Sequence, residues 1–572
     1  MPEVDTTTPE VKAAPEKEEP KTEASKPAEK AQLTRPVSRL VNRYVESLTA
    51  LKGAATPIHV DDIASRVAKF YELIRKVVDW KEDNLLRRTA IERILKRLLF
   101  SRLSGLTLAG HPDAHRVAET LTLDLIRGGH LPNDEIPQEK IEVVTNILKK
   151  YLYFLEHTQF TSSDPLIVKR RINYFTFLLE LAACEIEEVL VEPILVDGLL
   201  IAMTESLLER IHVKPAEAMT NDEKFVQAYI ATARALFDLE DSFITYRLLA
   251  FQYAEWKNPA PAFIQRMNTD LPSIWEQLPS ILEHPLAKQF YNLAEQFDTV
   301  FALLGDVLDS QKANPKELPV FLTNKKEFLQ EIERFYDKRF SSLKKRLLNL
   351  GIFSTLSVFA SNWTTFFLVE VPLANVFAEG FNFWTALTDF VVPTAVMFFL
   401  VMIIRPPKPE NKKRVIEAVE SFNYLGHPIR YYDVRAVRPR RPIMNFMIGI
   451  FYLTMITAVL GAVAWVFWFA RLPITSVIFD TFTIALTVFA AVTIRNKSKE
   501  LTVGERTSLV EFFLDMISVP VAKLGSFLAA KWKEYNIIAF FFTFLIETPF
   551  TKVVDVIESW SQFLKERRAE LH

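Results

Sequence analysis

Between Asp61 and Arg102 the apolar residues Ile63, Val67, Phe70, Ile74, Val77 and Val78 recur at steps of three and four, one stripe along an α-helix. Asp61 and Asp62 stand where side-chain oxygens can accept the first unpaired backbone N–H groups. The same periodicity predicts helices near 113–127, 137–157, 165–191, 193–212, 221–256, 285–310 and 322–349. Prolines mark many of the breaks: Pro112, Pro132, Pro165, Pro193, Pro215, Pro259, Pro285, Pro315 and Pro319. No alternating run predicts a strand, and no long internal period repeats. Residues 36–346 are expected to form an all-α cytosolic domain.

Past Arg346 the pattern changes solvent. Leu347–Val369 is 23 residues without a charge, and Phe390–Ile404, Phe446–Ala470 and Thr481–Ile494 are further uncharged runs. Crossing hydrocarbon takes about 20 apolar residues, so four spans are expected if Asp389 and Asp480 stand at helix starts. They form two hairpins, 347–404 and 444–495, joined by a link, 405–443. The link carries ten basic residues against four acids, whereas 371–381 has none and the third turn has only Arg471. Basic loops stay in the cytoplasm, so both termini and the link are expected there. Residues 496–572 contain only ten consecutive apolar residues at Ile537–Ile546, too few to span. An amphipathic, interfacial or re-entrant region ending in the charged stretch Val553–Glu570 is expected; a fifth span from about Gly525 is the alternative. Residues 1–35 are rich in Pro, Glu, Lys and Thr and are expected to be disordered. They lack a signal-peptide pattern.

Composition narrows function more than it names it. There are 14 glycines in 572 residues, well under the usual ~7%, which disfavours Gly-rich phosphate loops and a Rossmann crevice. One cysteine, Cys184, leaves no internal disulfide and no cysteine-based zinc site. A net charge of −2 gives no bias toward nucleic acid. No nucleophile elbow, Walker loop or zincin motif is present, so no catalytic, cofactor or metal site is assigned.

Four clusters could carry chemistry. Asp389 lies 16 residues before Arg405 and Asp480 lies 15 before Arg495, each roughly 23 Å from the cytoplasmic boundary. Facing each other in a bundle, they could hold a proton or cation. As helix-start residues at the outer interface they would simply match the helix dipole, the plainer reading. In the link, Arg435, Arg438, Arg440 and Arg441 can meet anionic lipid headgroups, although topology signalling explains the same charges. Glu180, Cys184 and Glu187 or Glu188 share a helix face that could bind a metal, but no histidine stands at ligand spacing. A buried cysteine beside a solvated acidic face is expected there. Arg87, Arg88, Arg93, Lys96, Arg97 and Arg102 could bind phosphate, but acids interrupt them and local salt bridges are expected instead. His111 and His115 frame Pro112-Asp113, which reads as a helix start rather than a zinc pair.

Two stretches carry a resemblance. Asp79-Trp80-Lys81-Glu82-Asp83-Asn84 running on to Lys96-Arg97, and Ile546-Glu547-Thr548-Pro549-Phe550 with Glu558-Ser559-Trp560 and Phe563–Arg568, resemble an uncharacterised family of bacterial multispan inner-membrane proteins. The resemblance implies an inner-membrane location and brings no activity with it. The expected function is a membrane-tethered scaffold whose residues 38–346 hold a protein partner. The alternative is a cation, proton or small-solute transporter using Asp389 and Asp480.

Overall fold

The computed structural model describes residues 31–50, 57–58, 83–100, 112–158, 165–191, 193–367, 372, 383–436, 442–469, 474–504 and 509–534. These residues are all-α apart from two four-residue strands. Ten helices come first: α1 Arg35–Ala50, α2 Asp83–Phe100, α3 Ala114–Arg127, α4 Glu139–His157, α5 Pro165–Val191, α6 Ile194–Leu208, α7 Asn221–Phe237, α8 Asp241–Gln252, α9 Pro261–Leu282 and α10 Ala287–Glu295. They are followed by α11 Asp298–Ser310, α12 Leu318–Thr323, α13 Lys325–Thr365, α14 Phe383–Met402, α15 Glu410–Asn423, α16 Pro442–Phe469, α17 Ile474–Ser498 and α18 Leu509–Glu534. Strand β1, Ile211–Lys214, pairs in parallel with β2, Tyr432–Arg435, Ile211 opposite Tyr432 and Lys214 opposite Arg435.

Two apolar cores lie side by side. The first gathers α2, α3, α4, α5, α8 and α9 around residues such as Leu121, Leu148, Phe154, Leu178 and Met267. The second gathers α1, α6, α10, α11, α13 and α15 around Val41, Phe290, Phe301, Ile332 and Val415. Helix α7 belongs to both, giving Ile230 and Ala233 to the first and Ala228 and Ala231 to the second. Its start is a full capping box: the Thr220 hydroxyl accepts from the Glu223 N–H while the Glu223 carboxylate accepts from the Thr220 N–H.

Several expectations change. The helix predicted over 221–256 breaks at Asp238, whose φ of +47° turns the chain by the left-handed cap usual at helix ends. The prolines hide α9 from a reading that treats them as stops. Pro272 and Pro279 sit inside it, while Phe263, Met267, Leu271, Leu278 and Leu282 still line one buried face. The strands escaped because four residues are too few for a period of two to show. Residues 1–30 and 535–572 lie outside the described residues, but residues 31–34 of the expected tail are held. Leu33 bridges antiparallel to Tyr424, and the Ala31 N–H donates to the Thr323 carbonyl.

The link between the hairpins is not a free loop. Its helix α15 and strand β2 complete the second core through Val415, Val419, Phe422, Tyr424 and Val434. The segment after α17 joins the same core with Leu501 and Val503. Asn411 clasps it, the side-chain amide donating to the Leu501 carbonyl (2.5 Å) and the Tyr336 hydroxyl (3.2 Å) and accepting from the Val503 N–H (3.1 Å). Leu501 has a φ of +71°, a conformation that a branched side chain adopts at a cost and that the clasp holds in place.

The upper half of α13 packs with α14, α16, α17 and α18 as a helical bundle. Only α16 is long and apolar enough by itself to cross a membrane among the described residues; α14 contributes the shorter apolar stretch Val391–Met402. Asn411→Ala is expected to orphan the Leu501 carbonyl and the Val503 N–H, at ~1–3 kcal/mol for each buried group. Thermal unfolding of the purified chain should show a clear drop in Tm for Asn411→Ala and almost none for the half-buried neighbour Lys412→Ala, whose ion pair with Asp337 lies at the surface.

Candidate functional site

The acidic face of α5 is where the structure departs furthest from expectation. Cys184 is buried as expected, but the acids around it are not solvated. Glu185 points into the first core and meets Lys150 of α4, whose side chain is 2% exposed. The Lys150 ammonium donates to both Glu185 oxygens (2.7 and 2.8 Å) and to the Trp256 carbonyl (2.9 Å), using all three of its protons. Glu185 also accepts from the Tyr151 hydroxyl (2.8 Å) and the Trp256 indole N–H (3.1 Å). Lys150 lies 4.7 Å from the Trp256 ring centroid, a cation–π contact.

Two further acids of α5 each reach a different neighbour. Glu187 pairs with Arg87 of α2 at 3.3 Å, and Glu188 with Arg247 of α8 at 3.4 Å and Lys257 at 2.5 Å. Arg247 also holds Asp197 of α6 at 2.5 Å, and Arg88 of α2 holds Glu240 at 2.8 Å. Burial pushes the Cys184 thiol up to about 12 and the Glu180 carboxyl up to about 6, the latter helped by Glu92. Burial likewise lowers the Lys150 pKa, partly offset by Glu185. A thiol held protonated and wholly buried is a poor nucleophile. The network positions helices; it does not present a reactive group. No cluster of metal-ligand type occurs among the described residues.

The basic helix α2 is salt-bridged as expected, but mostly to other helices rather than locally, and Arg88 is only 5% exposed. Lys96 pairs with Glu92 and Arg97 with Asp124, beside the pairs of Arg87 and Arg88. Arg102 and His111 lie outside the described residues. His115 sits at a helix start: its backbone N–H donates to the Asp113 side chain at 3.0 Å.

The two aspartates meet different fates. Asp480 is in α17, 3% exposed. Asp389 is on α14, which packs against α17, but its side chain lies outside the described residues. Of the link arginines, Arg438, Arg440 and Arg441 lie outside them too. Arg435 ends β2: its backbone N–H donates to the Gln289 side chain (3.0 Å), its carbonyl accepts from the same amide (2.8 Å), and its guanidinium stays exposed 4.0 Å from Asp433.

A different set of cations stands out. Gly351 packs against Val401, and Arg346 pairs with Glu500, so the middle of α13 and the lower ends of α14 and α17 share one level. At that level Lys344, Lys345, Arg405, Lys408, Lys497 and Lys499 are exposed, and none forms an ion pair among the described residues. They came from three separate sequence segments, so no single charge run announced them.

Close to the same joint, Asp298 opens α11. Burial pushes its carboxyl up to about 7 from an ordinary 3.8, with Glu295 and Glu500 acting in the same direction against the Thr299 hydrogen bonds. An open cleft of about 730 Å³ lies between α3 and α4, lined by Asp113, His115, Glu142, Lys149, Tyr153 and Glu156. No protein-family profile, no curated protein and no solved structure matches the chain. The resemblance to bacterial multispan proteins therefore stands on the quoted residues alone.

Removing one partner of the buried pair should be costly. Lys150→Met is expected to lose ~3–5 kcal/mol, because Glu185 is left charged in the core. Lys150→Met with Glu185→Gln should recover part of that loss in denaturant midpoints, since the glutamine still accepts from Tyr151 and Trp256. For Asp298 the folded pKa lies above the unfolded one, so its contribution is fully present below pH 3.8 and fades as pH rises through about 7. Asp298→Asn should flatten that part of the stability-versus-pH curve and raise Tm at pH 8.

Proposed function

We propose that the chain is an integral protein of the bacterial inner membrane and acts as a scaffold, its helical region on the cytoplasmic side. One observation carries the reading. The bundle exposes an apolar belt: Ile352, Phe353, Leu356 and Trp363 on α13, Phe398, Phe399 and Met402 on α14, and Phe446, Met447, Leu453, Trp465 and Trp468 on α16. Monomeric soluble proteins rarely expose apolar patches beyond a few hundred Å². In hydrocarbon the same belt is matched to its solvent, and the helices satisfy their backbone groups internally. The four spans of this reading are the upper half of α13, then α14, α16 and α17. Both hairpins turn on the outer side.

The six exposed cations lie directly below that belt, the level of the cytoplasmic headgroups. Each such charge attracts an anionic surface by about 1 kcal/mol. They are the lipid contacts this reading favours, ahead of Arg435 on its strand at the second core.

The scaffold role rests on proportion and on the cleft. Among the described residues, fourteen helices and half-helices precede or flank the bundle, far more than anchoring requires. The cleft between α3 and α4, with both charge signs and the stacked pair Tyr153 and His157 at its edge, suits a partner helix with a polar flank. A transporter remains the second reading because Asp480 is buried in α17, and acids at membrane depth mark ion paths.

Gentle detergent extraction of the full chain, followed by mass spectrometry, should recover a near-stoichiometric protein that Tyr153→Ala with Lys149→Glu releases. Carbonate washing should leave the chain in the membrane fraction; release by carbonate would remove the membrane reading. Under the scaffold reading Asp480→Asn leaves growth and partner recovery unchanged. An ion flux in proteoliposomes that Asp480→Asn abolishes would replace the scaffold with the transporter.

A further inference from the structure

The four-span reading leaves out α18. This helix follows the loop whose Leu501 and Val503 are buried in the second core, so its first residue, Leu509, lies on the side of the helical region. From there it runs antiparallel to α17 in close contact. Arg495 near the lower end of α17 pairs with Asp515 near the lower end of α18. Ten residues further along each helix, a Cβ at Gly525 would lie 2.5 Å from the Ala485 carbonyl oxygen and 2.7 Å from the Phe489 Cβ. Such backbone approach at a small residue is how helices associate in lipid. On its other side, Lys523 sits 5.3 Å from the ring centroid of Tyr452, ten residues up α16 from Pro442.

Length agrees with this course. The 26 residues of α18 reach about 39 Å, and α17 offers 25 alongside. Between Asp515 and Lys531 the only charged residue is Lys523, while Lys531, Lys533 and Glu534 gather at the far end. Ile517, Val519 and Phe527 are exposed on the outward face, continuing the apolar belt.

We infer that α18 is a fifth membrane-crossing helix, antiparallel to α17, and that it delivers the residues after Glu534 to the face opposite the helical region. The inference rests on the membrane reading above. It reverses the expectation that Lys531 and Lys533 keep this segment on the cytoplasmic side. Two lysines beside a glutamate are a weak retention signal against the packed seam between α17 and α18. The chain then offers material on both sides of the bilayer, one large region inside and one short segment outside.

The test uses the full chain in intact bacterial cells and a membrane-impermeant maleimide polymer read as a gel shift. The native chain has a single cysteine, Cys184, buried, so it should not shift. Ala378→Cys, in the first outer turn, reports the membrane reading, and Lys499→Cys reports the cytoplasmic side. Lys533→Cys and Glu534→Cys report α18; two positions are used so that one badly folded variant does not decide the result. The expected result is a shift for Ala378→Cys, Lys533→Cys and Glu534→Cys in intact cells, with Lys499→Cys shifting only after permeabilisation. If the two α18 positions shift only after permeabilisation while Ala378→Cys shifts in intact cells, the fifth crossing is overturned and the four spans stand. If Ala378→Cys shifts only after permeabilisation, the membrane reading fails and the fifth crossing falls with it.

Discussion

A helix that stops must find partners for its last carbonyls, and α13 avoids the problem by not stopping where the second core ends. It runs 41 residues, about 60 Å, from Lys325 in the second core to Thr365 among the belt residues. Its lower half buries Phe328, Ile332, Tyr336 and Leu343, and its upper half turns Ile352, Leu356 and Trp363 outward. One hydrogen-bonded rod therefore joins a buried core to an exposed apolar belt. Everything that packs on either half takes its orientation from it. The Arg339 pair with Asp306 at 2.5 Å and the Arg346 pair with Glu500 brace it where the two environments meet.

The link between hairpins reinforces the same joint from the side. Helix α15 and strand β2 return to the second core instead of hanging below the bundle, and Asn411 ties the exit of α17 to α13 through Tyr336. Residues 36–346 are thus not a closed unit. Their second core is completed by Val415, Val434 and Leu501, all from beyond Arg346. The first core, with its ion-paired α5, is the more self-sufficient body, since its buried residues all lie between Ile58 and Leu282.

Legibility in the sequence follows range and homogeneity. Helix α16 is plain because nearly every residue is apolar, and α3 to α6 because their stripes are regular and their ends capped or broken. Helix α9 is masked by prolines that the helix tolerates on its way, and α18 by five charges placed toward its ends and Lys523 midway. The network around Glu185 is a different kind of omission. Lys150 sits on the apolar stripe of Ile147, Tyr151 and Phe154, which is a signal that a cation is being carried inward. Its partner is 35 residues away and the indole that completes it 106 away, distances over which periodicity says nothing. The exposed cations below the belt are visible in the sequence as basic flanks of the apolar runs, but their meeting at one level is not, since three stretches of chain supply them.

The reach of the second core along the chain has a consequence for synthesis. Its members run from Val37 to Val503, with α1 resting on α6 and Leu33 bridged to Tyr424. At roughly 5–20 residues per second, tens of seconds separate the appearance of α1 from that of its last neighbours. The first core can close long before then, and α6 can cover Leu40 early, but the second core stays open until Val415, Val434 and Leu501 have been added. Pairings of such high contact order form late and slowly. The nascent chain thus passes through a stage in which its second core is open apolar surface, and protection of that surface on the ribosome is part of what this architecture demands of the cell.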